Sequence, residues 1–261
     1  MEARIASSQM RESSRFKTSS FASFKLLIWK PNVYLRYRLY RSTLVLRLFR
    51  KKFFTLSEND LNLFDLIGQR QGGYFIEIGA YDGIKQSNTK YLEAFQNWTG
   101  LLIEPNPEKV TLCRLSRKRT TKVVQAACVP YGFSKSKVTF ESLETMSFSR
   151  ELSLNVDDYD SHEASARRHL GFSEKREFSA KSSPLGEILK FVNAPEEIDF
   201  LSLDVEGAEI DVLQGLDLRK FRISFMLIES RDIQSLENHL NLLGYRLKTK
   251  LTHSDFLFER I

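Results

Sequence analysis

Cysteine is scarce in this 261-residue chain, and long apolar runs are missing altogether. Its two cysteines, Cys113 and Cys128, stand beside apolar residues, so we expect reduced thiols of a cytoplasmic protein rather than a disulfide framework. No uninterrupted apolar segment approaches the about 18 residues that are needed to cross a bilayer. The composition therefore argues against a disulfide-rich secreted module and against a membrane-spanning helix.

Acidic residues are nearly absent from the first 56 positions, which hold 13 Lys and Arg against two acids. The remaining 205 residues hold 26 Lys and Arg against 31 acids, so the net charge of +6 belongs to the N-terminal arm. An apolar content of 42% suffices for one full-sized α/β core. The sequence thus predicts a basic arm over residues 1–56 and one catalytic domain over residues 57–261.

Within the arm, residues 24–54 alternate aromatic and aliphatic side chains with arginines. Such a segment can pack on the rest of the chain, or it can lie on an anionic membrane surface with its apolar side chains inserted. The same residue types also bind nucleic acid, which the pattern favours least. Three interpretations of the arm therefore stay open: packing on the chain, a membrane surface and nucleic acid. The predicted location is the cytoplasm, and under the second interpretation the protein is peripheral at a membrane.

A glycine turn follows a short apolar strand within residues 74–83, and it carries carboxylates at Glu77 and Asp82. Gly79 and Gly83 let the backbone turn sharply and approach a ligand, as at the nucleotide sites of parallel sheets. A dehydrogenase shares this design, but its pyrophosphate needs Gly-x-Gly-x-x-Gly and a helix N-terminus free of negative charge. Acids at the turn would repel phosphate and attract a cationic adenosine ligand, so the pattern favours S-adenosylmethionine over NAD.

Carboxylates also occupy the exits of three further predicted strands. Glu104 ends an apolar run about 20 residues past the turn, where an acid suits a ribose diol, and prolines stop that strand directly afterwards. Asp204 and Glu206 follow the next such run, and Glu229 ends the one after it. A strand-end acid can also be merely solvated. One or both of Asp204 and Glu206 could instead orient the methionine end of the cofactor or cap the next helix. These alternatives stay open.

These motifs, taken in order, resemble the FkbM family of S-adenosylmethionine-dependent methyltransferases. The resemblance runs from about residue 72 to the end. It is carried by Glu77-Ile-Gly-Ala-Tyr-Asp-Gly, Ser87-Asn-Thr, Trp98-Thr-Gly-Leu-Leu-Ile-Glu-Pro, Ala127-Cys and Leu203-Asp-Val-Glu-Gly-Ala-Glu. The branch with the Ser-Asn-Thr and Trp-x-Gly-Leu motifs also includes proteins related to the fly Star protein. Membership implies a class I methyltransferase fold, a Rossmann-like α/β sheet of seven mostly parallel strands with a C-terminal antiparallel hairpin.

The resemblance also implies a reaction and a site. In that family the activity is mostly O-methylation of sugar or polyketide hydroxyls, and Asp204, Glu206 and Glu229 are the candidate catalytic residues here. The predicted S-adenosylmethionine site comprises Glu77, Gly79, Ala80, Tyr81, Asp82, Gly83, Ser87, Asn88, Thr89, Glu104, Pro105, Asn106, Ala127 and Asp204. No spacing of residues specifies a metal.

The expected acceptor is a hydroxyl-bearing sugar or glycan. No Asn/Asp-Pro-Pro-Tyr motif follows Leu203, which disfavours transfer to an exocyclic amine of a base. About 70 residues separate a predicted strand at 123–128 from the one at 199–204, and a polar insertion at about 142–182, with His162 and His169, is the predicted substrate loop. A non-catalytic adaptor that keeps the fold and binds a membrane or partner through its arm stays open as the alternative.

Overall fold

Alternating strands and helices make up most of the chain that the computed structural model describes, namely residues 30–48, 54–55, 60–143, 146–149, 151–152 and 176–261. The helices are α1 (Pro31–Leu39), α2 (Thr43–Leu48), α3 (Asp60–Leu66), α4 (Lys90–Phe95), α5 (Pro107–Ser116), α6 (Leu185–Phe191), α7 (Glu209–Gln214) and α8 (Ile233–Leu242). The strands are β1 (Tyr74–Ile78), β2 (Thr99–Glu104), β3 (Lys122–Gln125), β4 (Ala127–Cys128), β5 (Lys137–Leu143), β6 (Met146–Phe148), β7 (Arg176–Ser183), β8 (Glu197–Leu203), β9 (Arg222–Glu229), β10 (Tyr245–Lys250) and β11 (Asp255–Arg260).

Seven of these strands form the central sheet, in the order β3-β2-β1-β8-β9-β11-β10. The first five strands of this order are parallel to their neighbours, whereas β11 pairs antiparallel with both β9 and β10. The predicted class I methyltransferase fold with its C-terminal antiparallel hairpin is therefore confirmed. The strand order reverses between β1 and β8, which is where open α/β sheets bind their ligands.

Helices cover both faces of this sheet. Successive side chains of a strand point to opposite faces, so Ile76 joins a buried cluster with Leu189 of α6 and Leu240 of α8, whereas Phe75 joins another with Leu63 of α3. Both cysteines of the chain are buried as free thiols. This two-sided burial explains why the sequence of β1 reads as a nearly continuous apolar run.

A second sheet, in the order β4-β7-β5-β6, corrects two predictions. The single strand predicted at 123–128 is broken at Ala126, and β4 leaves the central sheet to pair with β7. The predicted loop at 142–182 begins and ends in strands, because the end of β5 and most of β7 lie within it. Its middle, including His162 and His169, lies outside the described residues.

The described part of the N-terminal arm packs on the catalytic domain. Leu46 and Phe54 form a buried cluster with Ile84 and Ala94, and Thr43 Oγ1 donates to the carbonyl of Ala94 at 3.0 Å. None of the helices in the described ranges combines the length and apolar character that crossing a bilayer requires. Packing is thus one role of the arm, while the membrane-surface and nucleic-acid interpretations stay predictions.

Candidate active site

A cavity of about 330 Å³ opens at the carboxyl ends of β1, β2, β8 and β9, beside the point where the strand order reverses. Its volume falls within the about 300–1,000 Å³ of small-molecule sites. Most of the predicted site residues line it: Glu77, Gly79, Ala80, Tyr81, Ser87, Glu104, Pro105, Ala127, Asp204, Glu206 and Glu229. The acids of four strand exits are therefore brought to one place.

Five residues of the predicted S-adenosylmethionine site do not line this cavity. Asp82 accepts from the backbone N–H groups of the turn that follows it, and the carbonyl of Gly83 accepts from a buried guanidinium. Thr89 donates to a carboxylate of β1, and Asn106 caps α5. Asn88 lines a different, adjoining cavity. These residues shape the site rather than face it.

The glycine turn brings the exits of β1, β2 and β8 into direct backbone contact. Gly79 has a φ of 81°, and a Cβ atom there would lie 1.7 Å from the carbonyl oxygen of Asp204. The Gly79 N–H donates to the carbonyl of Ile103, and the Asp204 N–H donates to that of Ile78, both at 3.1 Å. Only glycine fits at this position, since any side chain would push the β8 exit away.

Glu104 is held as a buried carboxylate at the wall of the cavity. Its side chain is 5% exposed and accepts from the N–H groups of Tyr81 and Asn106, each at 2.8 Å. Burial raises its pKa to about 7, and these two hydrogen bonds lower the pKa by less than burial raises it. Glu104 is therefore not the solvated strand end that the sequence left open.

Glu77 carries a compensated charge. Its carboxylate accepts from Arg117 Nη2 at 2.6 Å, from the hydroxyls of Ser87 and Thr89 at 3.1 and 2.6 Å, and from a backbone N–H. Arg117 is fully buried, and its Nε also donates to the carbonyl of Gly83 at 2.7 Å. Arg117 thus largely offsets the negative charge of Glu77, so Glu77 would repel a phosphate much less than the sequence predicted. The uncompensated negative charge of the site lies at other strand exits.

Asp82 points toward the arm instead of the cavity. The hydroxyl of Tyr37, on α1, donates to Asp82 Oδ2 at 2.8 Å, while Oδ1 accepts from the N–H groups of Ile84 and Lys85. Arg41 supports the same region by donating to the carbonyls of residues 114 and 117. The arm therefore holds the far side of the glycine turn.

We expect Tyr37→Phe to destabilise the protein by about 1.5–3 kcal/mol, because it removes a hydrogen bond to a charged acceptor. In a chain of this size each kcal/mol lowers the Tm by about 2–4 °C. Tyr34→Phe is the matched control, since among the described residues the Tyr34 hydroxyl accepts only from the exposed side chain of Arg38 and we expect a change below about 0.5 kcal/mol. Thermal unfolding of both variants measures this. Equal Tm values would show that the arm does not support the turn.

A second group of acids lies at the exits of β8 and β9. Burial raises the pKa of Asp204 well above its usual value, and the neighbouring carboxylate of Glu229, with which it shares a hydrogen bond, raises it further. The pKa of Glu206 is raised to about 7 by burial and by Glu229, although Arg231 Nη2 lies 3.6 Å away. Glu229 Oε1 also accepts from Ser254 Oγ at 3.1 Å. The ionised form of Asp204 is therefore disfavoured at this strand exit.

Neither Asp204 nor Glu206 caps the helix that follows them. The N-cap residue of α7 is Ala208, whose side chain makes no capping hydrogen bond, and Glu209 Oε1 accepts from the N–H of Gly207 at 2.9 Å. Within the ranges that the structure describes, no group of three or more His, Cys, Asp or Glu side chains is arranged to hold a metal ion. Proton transfer and the binding of cations or hydroxyls are the chemistry that these acids offer.

Several cavity residues were missed by the sequence analysis. Phe140 and Leu152 come from the second sheet and the segment after it, and with Cys128 they give the cavity an apolar wall. Lys109 places its Nζ 3.8 Å from the centre of the Tyr81 ring. The alternation of apolar and polar residues in β5 was a usable signal for a half-buried strand, but it does not say which cavity the strand faces.

One family model and several solved structures match this chain. The model of the methyltransferase FkbM domain matches residues 77–247, well over half of the chain. A search of curated proteins found no match. Among solved structures, the methyltransferase FkbM from Methylobacillus flagellatus KT has a TM-score of 0.44 and 13% identity, covering 72% of this chain and 43% of that one.

Two further solved structures are methyltransferases. Precorrin-6y C5,15-methyltransferase from Geobacter metallireducens GS-15 has a TM-score of 0.41 and 12% identity, covering 80% of this chain and 89% of that one. TrmK of M. capricolum, in complex with S-adenosyl-homocysteine, has a TM-score of 0.36 and 10% identity, covering 76% and 66%. The chain spans under half of the length of the FkbM methyltransferase structure from Methylobacillus flagellatus KT. A shared fold does not by itself fix activity or substrate.

Proposed function

Because the chain belongs to the FkbM methyltransferase family, we propose that it is an S-adenosylmethionine-dependent O-methyltransferase acting on a hydroxyl of a sugar, glycan or related small molecule. The observation that carries this proposal is a single cavity with a buried acid of pKa about 7, Glu104, at one strand exit and the neighbouring carboxyl groups of Asp204 and Glu229 at two others. The first suits a ribose diol and the second suits a hydroxyl that must lose its proton.

The cavity fits the donor in three respects. Glu104 has a carboxylate at the cavity wall that can accept from two hydroxyls, and Phe140 and Leu152 offer an apolar surface to a flat ring. The carboxyl groups of Asp204 and Glu206 can accept hydrogen bonds from an ammonium group. When bound, S-adenosylmethionine supplies an electrophilic methyl group whose bonding electron pair stays on sulfur as the methyl carbon bonds to the acceptor oxygen.

The chain's own part in the reaction is to place the acceptor hydroxyl and to take its proton. Asp204 and Glu229 both line the cavity, and burial beside Glu229 disfavours the ionised form of Asp204, so we assign the uptake of the hydroxyl proton to Glu229. A positioned base of this kind contributes about 10²–10⁴-fold to the rate. Alignment of the two reactants contributes about 7–11 kcal/mol more.

The first test is the binding of S-adenosylhomocysteine by calorimetry. We expect Glu104→Gln to weaken binding about 10- to 100-fold, because hydrogen bonds to a charged acceptor are worth about 1.5–3 kcal/mol. Glu108→Gln, on the exposed first turn of α5, is the control and should bind as the wild type does. Circular dichroism checks that both variants fold. No binding by the wild type, or equal binding by Glu104→Gln, would contradict the site assignment.

The same acid predicts how binding depends on pH. Its pKa of about 7 means that about a tenth of the Glu104 carboxyl is ionised at pH 6 and about nine tenths at pH 8. Only the ionised form accepts from both diol hydroxyls, so affinity should rise by up to about tenfold over this range. Calorimetry at pH 6, 7 and 8 should show a smaller rise in Glu104→Gln. A rise of equal size in the variant would assign the titration to another group.

A non-catalytic adaptor with this fold would bind the donor without transferring its methyl group. Tritiated S-adenosylmethionine incubated with the protein and a cell glycan extract separates the two possibilities. Label in the glycan fraction supports the enzyme. Tight binding of S-adenosylhomocysteine with no label in any fraction would favour the adaptor.

A further inference from the structure

A second cavity, of about 230 Å³, adjoins the first one. The two share Gln86, Asp204 and Glu229, so the two neighbouring acids stand at their junction. Much of the remaining lining comes from outside the family match, from Thr55 and from the loop at residues 251–255. This cavity therefore opens onto the candidate reacting groups, but much of its lining lies outside the residues that the family model matches.

The loop that joins β10 to β11 is fixed in place by its own hydrogen bonds. Thr252 Oγ1 donates to Asp255 Oδ2 at 2.5 Å and accepts from the N–H groups of Ser254 and Asp255 at 3.3 and 3.0 Å. Ser254 Oγ donates to Glu229, and the Ser230 N–H donates to the carbonyl of Ser254 at 2.9 Å. These hydrogen bonds thus hold the 251–255 loop at a fixed position beside Glu229.

The charge of the lining selects against anions. Carboxylates are present at Asp204, Glu229 and Asp255, whereas no lysine or arginine is among the described residues that line this cavity. A phosphate or carboxylate placed here would meet three carboxyl groups, with His253 as the one basic side chain in the described lining, so an anion is disfavoured. A bound molecule must therefore be neutral or cationic.

The remaining lining favours a neutral sugar over an amine. The side-chain amides of Asn88 and Gln86 can donate to and accept from ring hydroxyls, and Leu227 and Leu251 can contact the C–H face of a ring. A volume of about 230 Å³ lies below the about 300–1,000 Å³ of pockets for drug-sized ligands. It limits the group that enters to about one ring.

We propose that the second cavity binds the acceptor as one neutral sugar ring and presents a hydroxyl of that ring to Asp204 and Glu229. The inference rests on the proposed function, because it assigns the acceptor of the same reaction. Leu251, at the end of β10, is partly buried against the core and faces this cavity, so a larger side chain there would fill the space for the ring.

The test compares a tryptophan substitution at Leu251, directly after β10, with one at Leu247, within β10. Leu251→Trp should lower kcat/KM for a cell glycan extract, assayed with tritiated S-adenosylmethionine, by about tenfold or more. Leu247→Trp is the control, since Leu247 is also partly buried on β10 but lines neither of the two cavities. Calorimetry should give both variants the wild-type affinity for S-adenosylhomocysteine within about twofold. Equal kcat/KM values for the two variants would overturn the proposal.

The labelled product provides the second readout. After hydrolysis of the glycans and separation by charge, we expect the label in neutral methylated sugars. Label in anionic or cationic sugars would overturn the proposal while leaving O-methyl transfer intact. Absence of label from the wild-type reaction would instead count against the proposed function, so the two failures are distinguishable.

Discussion

Glu229→Gln is expected to lower the rate of methyl transfer by about 10²- to 10⁴-fold, the contribution of a positioned general base. Glu229 lies at the junction of the two cavities beside Asp204, whose pKa is raised by burial and by the carboxylate of Glu229. A glutamine keeps the size of the side chain and an oxygen that can accept from Ser254, but it cannot take a proton. The loss should therefore appear in kcat.

The partner acid provides the comparison that assigns the base. Asp204→Asn keeps an N–H that can donate to Glu229, so we expect it to cost less, about tenfold. Single-turnover assays with saturating tritiated donor measure both rates, and Glu187→Gln, on the exposed surface of α6, should behave as the wild type. If Glu229→Gln keeps the wild-type rate, the proton goes elsewhere. If Asp204→Asn is the more damaging change, the roles of the two acids are reversed.

Arg117→Met is expected to lower the free energy of unfolding by about 3–5 kcal/mol, the cost of removing one partner from a buried ion pair. The Glu77 carboxylate would lose its counter-charge, and the carbonyl of Gly83 would lose a donor. At about 2–4 °C for each kcal/mol, the Tm should fall by about 6–20 °C. Urea denaturation followed by circular dichroism gives the free energy directly.

A nearby arginine and a double variant complete this experiment. Arg119→Met changes an exposed side chain two positions away and should stay within about 0.5 kcal/mol of the wild type. Glu77→Leu combined with Arg117→Met removes both charges and should be more stable than Arg117→Met alone. A loss below about 1 kcal/mol in Arg117→Met would show that Glu77 is not held by this ion pair.

The fold and the strand exits could be predicted because their signals are local. β1, β2 and β8 are apolar runs that end at an acid or a glycine, and the carboxyl ends of neighbouring parallel strands meet at one edge of a sheet. Glu104 and Asp204 therefore reach the same cavity although 100 positions separate them in the sequence. Such inferences need only the pattern around each residue and the topology of the sheet.

Partners across the chain could not be predicted in this way. Arg117 stands in the run Arg117-Lys-Arg, which has the pattern of solvated charge, yet it is buried against Glu77, 40 positions earlier. Asp82 has the acidity expected at a cationic ligand, yet it faces Tyr37 of the arm. In both cases the tertiary contact decides what the charge does, and no local pattern encodes which partner a side chain meets.

The place of β11 between β9 and β10 has a consequence for the order of folding. β10 is synthesised before β11 but cannot join the sheet until β11 pairs with β9, because β9 and β10 are not neighbours. On the ribosome, the nascent sheet therefore exposes the edge of β9, including Met226 and Ile228, until residue 260 has emerged. An unpaired strand edge of this kind is a template for association between chains. The pairing of β11 with β9 is thus the step that covers this edge and protects the newly made chain from aggregation.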